Sequence, residues 1–126
     1  MGEALALVEN NGLDREKVMA MFSETIFDCL IYNGYGNRVG GRKHYQDADH
    51  PGFALALGLK DVSLVLDTAR RSSPAVPMPF ANVMQDRMVR SVNAGRADLD
   101  WSCVGLSCSE DAGVDVADAS ENPQPE

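Results

Sequence analysis

The chain has 126 residues, 44% of them hydrophobic and 24% charged, which is enough for one packed domain of ordinary globular balance. Net charge is -8, but the six acids after Cys108 (Glu110, Asp111, Asp115, Asp118, Glu121, Glu126) meet no base, and without them the remainder carries about -2. No basic stripe of the kind nucleic acid needs is therefore expected, no run approaches the roughly 18 apolar residues of a membrane span, and no basic segment leads into an apolar one as in a signal peptide.

Met1 to Asn11 reads as the end of a helix with apolar Ala4, Leu5 and Val8, stopped by Gly12. It begins inside the helical pattern with no capping residue, so the polypeptide is expected to extend upstream. Asp14 caps a second helix without completing a capping box, and Val18, Met21 and Phe22 form its apolar face. Ser23 or Thr25 restarts a third through Phe27, Leu30 and Ile31, ended by Asn33-Gly34-Tyr35-Gly36-Asn37. Residues 40–50 are polar and read as an exposed loop.

Pro51 opens the longest helix, from about Phe53 to Arg71, stopped by Ser72-Ser73-Pro74. Pro77-Met78-Pro79 opens a fifth, with Phe80, Val83, Met84, Met88 and Val92 at helical spacing and Gly95 at its end. Asp98 or Asp100 caps a sixth, from Trp101 to about Ser109. From Gly113 to Glu126 the chain is acidic, small and proline-containing, and reads as a disordered tail behind a domain of residues 1–112. The reading is all-α, a single domain of about five to six helices.

The long helix is apolar almost all round, which predicts burial, yet it carries Lys60-Asp61. Buried charges are rare unless paired or functional. Residues seven apart on a helix differ by about 20° and residues eight apart by about 80°, so Phe53, Lys60 and Asp61 share one end of it. The pair either holds a small anionic ligand or is structural, with the Lys stem reaching solvent and the Asp capping nearby. Tyr32 and Tyr35 among glycines either line a pocket or pack as a helix end. His44, Asp47, Asp49 and His50 are metal-ligand types without a common face. Gly40-Gly41-Arg42-Lys43 lacks the spacing of a phosphate loop, and no G-x-G-x-x-G follows a strand. The methionines read as core filler. Cys29, Cys103 and Cys108 are odd in number and form no C-x-x-C, which fits a reducing cytoplasm, and Cys103 and Cys108 read as core residues rather than nucleophiles.

Taken in order, Glu3-Ala-Leu-Ala-Leu, Gly12-Leu13-Asp14, Tyr35-Gly36-Asn37-Arg38, Pro51-Gly52-Phe53-Ala54-Leu55, Leu59-Lys60-Asp61, Pro77-Met78-Pro79 and Asp98-Leu99-Asp100-Trp101-Ser102 resemble a known family. It is the helical C-terminal domain of β-hydroxyacid dehydrogenases: 3-hydroxyisobutyrate dehydrogenase, glyoxylate/succinic semialdehyde reductase and tartronate semialdehyde reductase, related to 6-phosphogluconate dehydrogenase. The resemblance covers residues 2–112, and Pro-Gly-Phe with Lys-Asp is its most specific part.

The resemblance implies an N-terminal Rossmann domain that binds NAD or NADP, a catalytic lysine upstream of Met1, and a homodimer built through the helical domain. It implies that Lys60 reaches the nicotinamide end of the cofactor, and that Tyr35, Phe53 and Asp61 serve the pocket of a small hydroxy-acid substrate, with no metal. Leu30 stands where the family often has Trp, and the loop from Gly40 to His50 is longer than the family norm. The chain alone is then expected to be inactive. The alternative is a non-catalytic helical dimerisation or interaction module.

Overall fold

In the computed structural model, which describes residues 1–43 and 52–116, the chain forms six α-helices joined by tight turns, with no strand among the described residues. Helix α1 (Gly2–Asn10) buries Leu5 and Ala6, whereas Ala4 faces solvent. It stops at Gly12, whose φ of 76° is left-handed and suits glycine. Asp14 caps α2 (Arg15–Ser23) by accepting from the backbone N–H of Glu16 (3.0 Å) and Lys17 (3.1 Å). The inward face of α2 is Arg15, Val18, Met19 and Phe22; Met21, expected inside, is 52% exposed.

The expected third helix does not restart at Ser23 or Thr25. Residues 24–29 run through turns, helical winding resumes at Leu30, and Asn33-Gly34-Tyr35-Gly36 continue it instead of ending it. They form a wide π-type turn (Tyr32–Gly36) that runs into α3 (Asn37–Gly40). Two buried glycines let α3 approach α2: a β-carbon at Gly40 would lie 3.0 Å from Met19 Cγ, and one at Gly36 would meet Met19 Cε. Pro51, His44, Asp47, Asp49 and His50, with the tail after Val116, lie outside the described residues.

Helix α4 (Leu55–Arg71) is not buried all round. Leu55, Gly58, Leu66 and Ala69 face inward, while Leu57, Lys60, Asp61, Leu64 and Val65 face solvent. The expected burial fails because every apolar residue was counted as core, yet several of them fall on one uncovered face. Pro79 begins α5 (Pro79–Ser91), as its fixed φ favours at a first helical position. Winding continues through a π-type turn (Val92–Arg96) that Gly95 closes at φ 82°. Met88 and Ser91 point inward; Phe80 is 87% exposed and Val83 55%, so the apolar spacing overstates the buried face. Asp100, not Asp98, caps a 3-10 turn (Trp101–Cys103) that leads into α6 (Val104–Asp111).

The core has two clusters. Leu55, Met88, Cys103 and Leu106 join α4, α5 and α6, with Trp101 and Val116 packed against them. Leu5, Met19 and Val39 join α1, α2 and α3. Helix α6 packs on both α1 and α5. Its small polar contacts reach α5 and α2: Ser107 Oγ lies 2.8 Å from Ser91 Oγ, and Ser109 Oγ accepts from Arg15 at 3.2 Å. No helix is long and apolar enough to cross a membrane among the described residues.

Candidate functional site

The entrance to α4 is clipped to the segment before α6. Ala54 and Asp100 are both extended and form an isolated antiparallel bridge. Leu55 N–H donates to Leu99 O (2.8 Å), Trp101 N–H to Phe53 O (2.8 Å) and Ala56 N–H to Ala97 O (3.0 Å). Asp100 is 1% exposed. Its Oδ1 accepts from Ser102 N–H (3.1 Å) and Oγ–H (2.5 Å), and its Oδ2 from Phe53 N–H (3.4 Å), with the Arg38 guanidinium 3.5 Å away. A carboxylate this deep is tolerated because its lone pairs are filled and a cation stands beside it.

Three aromatic rings gather at this clip. Tyr35 meets Trp101 edge-on, with ring centroids 5.1 Å apart and planes at 72°. Phe53 and Trp101 converge over Gly58, where a β-carbon would lie 3.5 Å from each. Tyr35 borders two cavities. One, of about 480 Å³, is mostly apolar, with Trp101, Val83, Met84, Arg87 and Cys108 in its wall. The other, of about 270 Å³, lies over Arg38, Gly52 and Asp100, with Leu30 and Ile31 at its rim.

Lys60 and Asp61 stand one to two turns further along α4, both exposed, in no ion pair with any described residue. Around them Leu57 is 50% exposed, Leu64 55% and Val65 48%. Helical spacing puts these residues on one stripe, an apolar face that carries one ammonium and one carboxylate. Neither cavity bordered by Tyr35 is lined by Lys60 or Asp61. The structure thus brings Tyr35 and Phe53 together through Trp101 and Gly58, and sets Lys60 and Asp61 on an outer face of the same helix.

Arg38, Asp100 and Trp101 were not singled out from sequence, although all three fall in the motifs that carry the family resemblance. The Asp100-Trp101-Ser102 run is the signal the sequence offers, and it says nothing of burial. The Gly40–Lys43 segment makes no phosphate loop: Arg42 Nη2 bonds Glu9 (2.8 Å), which also takes Arg15 (2.6 Å). Cys103 and Cys108 are poor nucleophiles. Burial pushes Cys103 up to about 12 and also raises Cys108, which borders the larger cavity.

Comparison with known proteins adds two findings. Residues 1–105 match the family described as NAD-binding of NADP-dependent 3-hydroxyisobutyrate dehydrogenase. The chain is also similar to the uncharacterized oxidoreductase YfjR of Bacillus subtilis (strain 168), 28% identical over 104 residues. That alignment takes in 82% of this chain and 34% of the relative, so the chain spans about a third of the relative's length.

Proposed function

The chain belongs to the NAD-binding family of NADP-dependent 3-hydroxyisobutyrate dehydrogenase, and from that premise we propose that it is the helical C-terminal domain of an NAD(P)-dependent 3-hydroxy-acid dehydrogenase. In this reading it closes the substrate pocket and the nicotinamide end of the cofactor site against a Rossmann domain, and it mediates dimerisation. The observation that carries the reading is the match of residues 1–105 to that family, and the α4 stripe fits it as a face to be covered. Leu57, Leu64 and Val65 are about half exposed around Lys60 and Asp61, which have no partner among the described residues. Apolar surface of that kind, rimmed by charge, suits a face that another domain covers.

An unpaired ammonium on a rigid helix fits a donor to the nicotinamide end of a dinucleotide. Nothing in the sequence supplies a glycine-rich cradle for its phosphates. When bound, the nicotinamide takes or gives the hydride. Lys60 then donates a hydrogen bond and offsets negative charge, and Asp61 accepts from and orients the substrate hydroxyl. Phe53 and Trp101 keep water out, and the Tyr35 hydroxyl donates to the substrate.

The test is turnover of NADH and NADPH with a panel of small 3-hydroxy acids and their aldehydes. The chain alone is expected to be inert, and clear turnover by it refutes the proposal. A dinucleotide-binding Rossmann domain ending in a lysine-bearing helix, fused ahead of Gly2, is expected to confer turnover that Lys60→Ala lowers by roughly 10²-fold.

A second reading, a non-catalytic dimerisation or interaction module, is favoured by the placement of Lys60 and Asp61 outside both cavities that Tyr35 borders. An inert fusion, together with a chain that self-associates, decides for it.

A further inference from the structure

We infer that Asp100 is a positioning residue: through Arg38, the Phe53 amide and Ser102 it holds the segments that carry Tyr35, Phe53 and Trp101 against one another. The other buried polar contacts, Ser91 with Ser107 and Arg15 with Val39, Gly40, Glu9 and Ser109, tie helix to helix and reach none of these rings. Asp100 differs in what it joins. Its Oδ2 receives the N–H of Phe53 itself at 3.4 Å. The same oxygen faces Arg38, one helical turn beyond Tyr35, at 3.5 Å. Its Oδ1 closes the turn that begins with Trp101 by accepting from Ser102 N–H and Oγ–H.

One carboxylate therefore links the turn that carries Tyr35, the entry to α4 and the turn that carries Trp101. The three backbone bonds of the clip lie between those links. An amide in place of the carboxylate keeps the shape. It removes the charge and turns its NH2 either toward the Phe53 N–H and the Arg38 guanidinium or, flipped, toward the Ser102 N–H, all of which are donors. That junction should then loosen while the helices persist. The inference rests on the proposed function only in treating Tyr35 and Phe53 as site residues.

The experiment is amide hydrogen exchange on the 126-residue chain, with acrylamide quenching of Trp101, its single tryptophan. Asp100→Asn is expected to raise exchange at Leu55, Ala56 and Trp101 by about tenfold and to increase quenching, with amides of α1 and α2 within about twofold of the parent. Arg38→Met is expected to do the same in smaller measure, and Arg38→Lys to recover most of it. Should Asp100→Asn fail to fold, the Arg38 pair decides. Unchanged exchange at the clip overturns the inference, and so does an equal rise throughout the chain, which marks a merely structural carboxylate. An inert fusion enzyme, by contrast, refutes the proposed function and leaves the exchange result standing.

Discussion

Arg15 offers a quantitative test of how this fold is held. It is buried, yet all three of its guanidinium nitrogens are hydrogen-bonded. Nε donates to Gly40 O (2.8 Å), Nη2 to Val39 O (2.8 Å), and Nη1 to Glu9 Oε2 (2.6 Å) and Ser109 Oγ (3.2 Å). Burial first, then the neighbouring Arg42 charge, pull its pKa down from the ordinary arginine value, with Glu9 opposing them. Arg15→Met removes three bonds to neutral acceptors but does not strand Glu9, which keeps Arg42 at 2.8 Å. At about 1 kcal/mol per bond, the loss is expected to be about 2–4 kcal/mol, or roughly 10 °C in Tm. Glu9→Gln should cost more, about 3–5 kcal/mol, because two guanidiniums then face each other without a carboxylate. Urea unfolding followed by far-UV circular dichroism measures both, with an unchanged m-value as the check on the unfolded state. A loss under about 1 kcal/mol for Arg15→Met, or a milder effect for Glu9→Gln, refutes the reasoning.

A β-carbon at Gly105 would lie 3.0 Å from Val39 Cγ1, on a stiff β-branched side chain, so Gly105→Ala should destabilise by about 1–3 kcal/mol in thermal melts. Gly34 has open space around it inside a helical turn, so Gly34→Ala should be neutral or gain up to about 1 kcal/mol. Hydrogen bonding from Arg90 leads the causes that hold Asp111 below its ordinary 3.8, with burial opposing it and Arg87 adding to it. A depressed carboxyl contributes stability above its unfolded pKa and loses it as pH falls through the folded one. The acid limb of the stability curve below about pH 3.8 should therefore flatten in Asp111→Asn, as an acid titration of the melt would show. In native chain, a thiol reagent should label exposed Cys29 first and Cys103 only on unfolding, with peptide mapping as the readout.

Helix existence was legible wherever a cap or breaker stood beside an apolar pattern, as at Gly12, Asp14, Pro79, Gly95 and Asp100. What misled was the assumption that every apolar residue at helical spacing is core. Phe80, Val83 and Met21 share the spacing of their neighbours but have nothing packed over them, and periodicity carries no information about what covers a face. Arg15 made the opposite error: a charged residue in the first turn of a helix reads as exposed, and only the carbonyls of α3, 24 and 25 residues away in sequence, give it a reason to be inside. The turn at Tyr32–Gly36 escaped because glycines and asparagines that usually end helices are tolerated in a wide turn backed by Met19. Of the candidate site, Tyr35 and Phe53 were placed by motif. Asp100 was read only as a cap, because a hub of long-range bonds leaves no periodic trace.

The seam along α6 bears on motion. On one side lies the cluster of α4 and α5, on the other that of α1, α2 and α3, and between them Gly105, Ser107 and Ser109 present little more than a methylene or a hydroxyl. Side chains that do not interdigitate resist sliding weakly, and a hydroxyl that loses one acceptor needs only a small shift to find another. Against that weakness stand the Arg38–Asp100 contact at 3.5 Å and the close approach of Gly105 to Val39, which pin the two halves together at the end where Tyr35 meets Trp101.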